Sequence, residues 1–168
     1  MKKLAFIFLI LLLFIGCTPK TENTEPVINE ATQITLADFL DKVDNNETFA
    51  MIFILDGCAW CEAAFPVFKD VTLENTATTY YINFTDAQEE ADYQENFSTL
   101  ELYLVDYLPV EDGEAVFYIP HAFFIKSGKV VSDHIGTVDS HDANSAPMTD
   151  AQTSELSGYY QDGFDAIQ

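Results

Sequence analysis

Three cysteines occur in this chain of 168 residues, and two of them stand three positions apart in Cys58-Ala59-Trp60-Cys61. Two thiols at this spacing can close and reopen a disulfide. A bridge spanning so few residues restrains little of the unfolded chain and adds little stability, so its natural use is exchange rather than stapling. The competing readings are half a zinc site and a chance pair. A closed zinc site needs four ligands. No second cysteine pair exists, and His121, His134 and His141 are spread over three segments, so no metal is expected.

The surrounding pattern predicts how the pair is held. Phe49 to Leu55 is a continuous apolar run bounded by the turn-forming Asp44-Asn45-Asn46-Glu47 and Asp56-Gly57. Such a run fits a strand covered on both faces, as in the middle of an α/β sheet. After the cysteines, Ala63, Phe65, Val67, Phe68 and Val71 fit a helix. The pair therefore sits where a buried strand turns into a helix N-terminus. There, unpaired backbone N–H groups and the helix dipole favour a thiolate on Cys58, the expected nucleophile. Cys61, one turn further in, is the expected resolving thiol.

Other elements follow from spacing. Leu36, Phe39, Leu40 and Val43 share one helical face, predicting a helix over 36–44 with Thr35 and Asp38 as a capping box. A strand is expected at 78–84 and a long amphipathic helix at about 90–108, stopped by Pro109. Residues 111–114 read as a solvated acidic turn, and 122–126 with 130–134 as a hairpin around Ser127-Gly128. A last helix begins after Thr149, with Leu156, Tyr159, Tyr160, Gly163, Phe164 and Ile167 on its apolar face. Gly158 and Gly163 each cost it about 1 kcal/mol against alanine.

The N-terminus indicates the compartment. Lys2 and Lys3 precede an uncharged apolar run from Leu4 to Ile15 that closes at Gly16-Cys17. The run is too short to span a bilayer and right for a signal peptide. A small residue followed by cysteine resembles the lipobox of bacterial lipoproteins, although Phe14 stands where that motif usually has leucine. The resemblance implies a signal peptide at 1–16, lipid on Cys17 and a protein on the outer face of the cell membrane, held stably because more than one acyl chain is attached. Residues 17–33, polar and holding Pro19 and Pro26, read as a disordered tether; one folded domain is expected at 34–168.

Net charge is −21, with no arginine. Loss of 1–16 removes two lysines and no acid, giving about −23 for the mature chain. Phosphate binding needs clustered cations, so a nucleic-acid partner is excluded. Solubility accounts for the charge; attraction of cationic peptides is the sharper alternative.

The cysteine pair, Pro66 after it, and Ile119-Pro120 ahead of Ala122–Ile125 and the turn Lys126–Lys129 together resemble the thioredoxin superfamily. The resemblance implies a three-layer α/β/α fold with a central mixed sheet. It further implies a cis Pro120 packed against the cysteines and backbone at Ile119 free to bind substrate peptide. Read from the residues themselves, Trp60 is expected as a rim aromatic at the entrance to Cys58, since a buried tryptophan would need an N–H partner, and His121 either touches substrate or thiolate or is a plain strand-start residue. No cofactor beyond the Cys58–Cys61 disulfide is implied. The partners would be cysteine-containing secreted or membrane proteins, with an electron donor or acceptor across the membrane.

Departures from the pattern carry information. Gly57 replaces the family's tryptophan, and Ile52 stands where the family has a buried aspartate that deprotonates the second cysteine, leaving Glu62 or water as base. The segment before Pro120 is long, which places the 90–108 helix over the site as a substrate filter. Ala59-Trp60 bears no charge, and Asp56 and Glu62 disfavour a thiolate, so reduction or isomerisation is favoured over oxidation. Gly57-Cys58-Ala59-Trp60-Cys61, the anchor and Thr149–Gln152 are similar to thioredoxin-like lipoproteins described as bacteriocin transport accessory proteins, which implies a secreted cationic peptide or its exporter as partner. The alternative from another class is a non-catalytic module that binds peptide in the proline groove.

Overall fold

The computed structural model describes residues 29–168; the expected signal peptide and Cys17 lie outside them. Order begins before the expected Ile34. Strand β1 (Thr32–Gln33) runs parallel to β3 (Thr79–Asn83), and the Asn29 side-chain amide donates to the carbonyl of Ala77 at 2.5 Å. Residues 29–33, expected in the tether, therefore include chain that is joined to the sheet. A strand of two residues is too short to leave a side-chain period to read.

Helix α1 (Leu36–Asp44) occupies the predicted span. Thr35 Oγ accepts from the Asp38 N–H and Asp38 accepts from the Thr35 N–H, so the capping box is complete. Strand β2 (Phe49–Ile54) is buried along its whole length, as its unbroken apolar run requires. Helix α2 (Ala59–Glu74) follows, then β3, a short helix α3 (Phe84–Ala87) and α4 (Tyr93–Leu104), which continues as a 3-10 turn at Val105–Tyr107. The expected 90–108 helix is thus shorter and tightens before Pro109 is reached. The acidic turn is a small hairpin, β4 (Val110–Glu111) with β5 (Glu114–Ala115), closed by Asp112 and Gly113 at φ 50° and 89°. Strands β6 (His121–Lys126) and β7 (Lys129–Ile135) form the predicted hairpin, and α5 (Asp150–Ile167) closes the chain.

The five-stranded sheet has the order β1-β3-β2-β6-β7. Strands β1, β3 and β2 are mutually parallel, while β6 is antiparallel to both β2 and β7. Alternation along β2 and β6 divides the core in two. Ala50, Ile52, Ile54, Ala122 and Phe124 meet α2 and α5; Phe49, Met51, Phe53, Phe123 and Ile125 meet α1 and α4. The result is the expected α/β/α sandwich with a mixed central sheet. Among the described residues, no helix is long and apolar enough to cross a membrane.

The two glycines of α5 have different reasons to be there. A Cβ on Gly163 would lie 2.2 Å from the Phe124 ring, which is itself fully buried and cannot step aside, whereas one on Gly158 would meet nothing within 4 Å. Gly163→Ala is therefore expected to destabilise by about 1–3 kcal/mol through overpacking. Gly158→Ala should stabilise by up to about 1 kcal/mol. Urea denaturation of both variants checks this, and equal shifts of one sign would contradict it.

Candidate redox site

Strand β2 delivers the chain through Asp56 and Gly57 to the start of α2. Gly57 has φ 72°, a left-handed backbone that a tryptophan or any other β-carbon-bearing residue adopts only with strain. The sequence departure at this position thus has a backbone cause. Cys58 is the N-cap of α2, its Sγ accepting from the Cys61 N–H at 3.2 Å. Cys58 and Cys61 are joined as a disulfide with their Cα atoms 5.2 Å apart. Cys58 is half-buried, and Cys61 is 4 % exposed beneath it, packed among Ile52, Ala64 and Phe68. The accessible sulfur is therefore the one at the positive end of the helix. When the pair is reduced, that same N–H is placed to stabilise a Cys58 thiolate.

The second half of the site comes from β6. The Ile119-Pro120 bond is cis, Pro120 is buried, and the Ile119 carbonyl oxygen lies 3.7 Å from Cys58 Sγ. Residues more than 60 positions apart meet because β6 pairs antiparallel with β2, with Phe53 opposite His121. Trp60 is half-buried beside Ala59.

His121 does not reach this rim. It is fully buried on the α1/α4 side of the sheet, its ring 3.9 Å from that of Phe123 and 6.0 Å from that of Phe117. Its Nε2–H donates to Asp133 Oδ2 at 2.8 Å, and its buried Nδ1 has no partner. The expectation of contact with substrate or thiolate is corrected: strand alternation turns residue 121 away from the face that carries the cysteines. Burial holds its pKa below the ordinary value, although the Asp133 carboxylate pulls the other way, and burial lowers His134 likewise. Depressed folded-state values mean that the unfolded chain binds protons first, so this contribution is complete above about pH 6.5 and lost as pH falls. Urea midpoints should drop from about pH 7 to 5. His121→Leu should flatten that slope; parallel slopes in both proteins would contradict the assignment.

The other histidines serve local structure. His134 Nε2 bonds the Thr137 carbonyl at 2.8 Å and its ring stacks on Tyr159. His141 bridges the Thr137 hydroxyl and the Ala146 carbonyl, both at 2.9 Å. Among the described residues, no group of three or more His, Cys, Asp or Glu side chains is arranged to hold a metal ion.

Two cavities flank the turn at the start of α2. One, of about 430 Å³, lies between Ala59, Glu62 and Ala63 and the loop His141–Pro147. The other, of about 300 Å³, reaches Cys61 and is lined by Asp56, Glu62, Phe65, Tyr81 and Asn83. No residue of α4 lines either cavity. That helix packs through Leu100 and Leu104 into the core shared with α1, so the expected overhang at 90–108 is replaced by the loop at 141–147. Sequence reasoning missed this wall because the stretch reads as polar loop. Asp142, whose carboxylate accepts from Ser145 Oγ and the Asn144 N–H, was the available turn signal.

No family model matches this sequence, and no curated protein does. Solved structures do. A thioredoxin from Trypanosoma brucei brucei is 14% identical, with 82% of this chain and 94% of that one covered and a TM-score of 0.48. An oxidised thioredoxin from Arabidopsis thaliana is 15% identical, covering 79% and 99%, with a TM-score of 0.47. A thioredoxin from Malassezia sympodialis is 12% identical, covering 80% and 95%, with a TM-score of 0.46. On its own strand order, the two helical layers and the meeting of Cys58 with the Ile119-Pro120 turn, the chain has a thioredoxin-like fold with a paired CxxC at the start of its second helix.

Proposed function

We propose that this protein is a thiol–disulfide oxidoreductase that acts outside the cytoplasm from a lipid anchor on Cys17. The observation that carries the reading is the position of Cys58 Sγ. It is half-accessible, receives the Cys61 N–H at 3.2 Å, and faces the Ile119 carbonyl at 3.7 Å. A substrate cysteine docked along the Ile119 backbone would meet that sulfur directly. Attack by the Cys58 thiolate breaks the substrate disulfide and leaves a mixed disulfide on Cys58. Cys61 then attacks Cys58, frees the substrate thiol and closes the internal bridge. Exposed Asp56 and Glu62 flank the site and no lysine lines either adjoining cavity, an environment that supports reduction or isomerisation over oxidation. Its partners are then cysteine-containing secreted or membrane proteins, cationic ones being favoured by the acidic body, with electrons supplied across the membrane.

Replacing Cys61 by alanine tests the reading in intact cells. The variant should accumulate mixed disulfides through Cys58, which a reducing gel dissolves and mass spectrometry identifies. In the same cells, Cys17→Ala should move the protein from the membrane fraction to the soluble one. Absence of trapped partners, with the biological role intact, would instead favour a peptide-binding module that does no chemistry.

A further inference from the structure

Resolution requires the Cys61 thiol to lose its proton, and its surroundings in the core offer nothing to take it. Ile52, Ile54, Ala64, Val67 and Phe68 share its cluster, and none of them is ionisable. The polar approach is the cavity of about 300 Å³ that Cys61 helps to line, a volume with room for several water molecules at about 30 Å³ each. Two carboxylates, Asp56 and Glu62, border it.

They are held differently. Asp56 belongs to a closed ring of three hydrogen bonds that ties the end of β2 to the end of β3. Its backbone N–H donates to Thr85 Oγ1 at 3.0 Å, the Thr85 N–H donates to Asn83 Oδ1 at 3.0 Å, and Asn83 Nδ2 donates back to Asp56 Oδ1 at 2.8 Å. The ring fixes one carboxylate oxygen and leaves the second free. Glu62 is an exposed, longer side chain on the first turn of α2. The Tyr81 hydroxyl, also on the cavity, is committed as a donor to Gln33 Oε1 at 3.1 Å.

We propose that Asp56, oriented by Asn83, accepts the Cys61 proton through water in this cavity and returns it when the internal disulfide is opened. The proposal rests on the exchange reading above. In the forward step the Cys61 S–H bond breaks and its proton passes to the Asp56 carboxylate. The Cys61–Cys58 bond forms, and the Cys58–substrate bond breaks. The electron pair leaves on the substrate sulfur, which takes up a proton from solvent. The protein dithiol is oxidised and the substrate disulfide reduced. Asp56 is a proton acceptor acting at one remove, and Asn83 is a positioning residue.

The test isolates the second step. Protein reduced with dithiothreitol and desalted is mixed with an aromatic disulfide whose thiolate is coloured. The first release reports attack by Cys58, and the second reports attack by Cys61. Asp56→Asn keeps every bond of the ring, since its Oδ1 still accepts from Asn83, but removes the base. Its second phase should be slower on the order of tenfold near pH 6. The deficit should narrow as pH rises, because hydroxide then takes the thiol proton in place of the carboxylate. Its first phase should not slow, because removing a negative charge near Cys58 favours the thiolate. Asn83→Ala should reproduce part of the deficit, and Glu62→Gln should show no deficit in the second phase. A pH-independent deficit, no deficit, or one that appears in Glu62→Gln instead would overturn the proposal while leaving exchange intact. If the unaltered protein releases no colour at all, the exchange reading falls and takes this proposal with it.

Discussion

Cys58→Ser should leave a folded protein whose exchange activity has fallen on the order of 10³-fold or more. Serine is a preferred N-cap, and its Oγ can accept the Cys61 N–H that the sulfur now accepts. The lost bridge closes only a three-residue separation and contributes little to stability. Unfolding free energy should therefore stay within about 1 kcal/mol of the unaltered reduced protein. Cys61 cannot substitute as nucleophile, because it is 4 % exposed beneath the first turn of α2. The measurements are insulin or small-disulfide reduction for activity and urea denaturation for stability. Retention of a tenth of the activity would remove Cys58 from the centre of the chemistry.

Phe53→Ala should cost about 3–5 kcal/mol, a large part of the 5–15 kcal/mol typical of a domain this size. The side chain is fully buried, with ring centroids of Phe39, Phe84, Phe117 and Phe123 between 5.2 and 5.8 Å away. No neighbour can collapse into the space without leaving another ring. Phe117 lies two residues before Ile119, so the vacancy should also loosen the turn that faces Cys58. Exchange should slow even at temperatures where the variant is folded. A loss below about 1 kcal/mol in urea denaturation would mean that this aromatic cluster is not the packed unit described.

The parts of this fold legible in the sequence are those whose signal is periodic or chemically singular. Helix α1 was marked by four apolar residues on one face and by Thr35 with Asp38; β2 by an unbroken apolar run between turns; the site by two cysteines at a helix start and a proline ahead of a hairpin. What escaped had no such signature. Strand β1 is two residues held by backbone pairing. The β4–β5 hairpin did announce itself, since Asp-Gly between short strands suits a turn with both central residues at positive φ, but its acidic flanks read as loop. His121 was misplaced because adjacency to Pro120 in the chain suggested adjacency in space, whereas strand alternation sends its side chain through the sheet. The ring of Asp56, Asn83 and Thr85 joins positions nearly 30 residues apart, and only the pairing of β2 with β3 brings them together.

The notch that Gly163 leaves for the Phe124 ring makes these two positions one unit. A methyl group at 163 and a full ring at 124 compete for the same space, so neither can vary freely while the other stays fixed. Divergence in this lineage should move them as a couple, with bulk migrating from strand to helix or back, and the separation between α5 and the sheet would follow whichever side holds it.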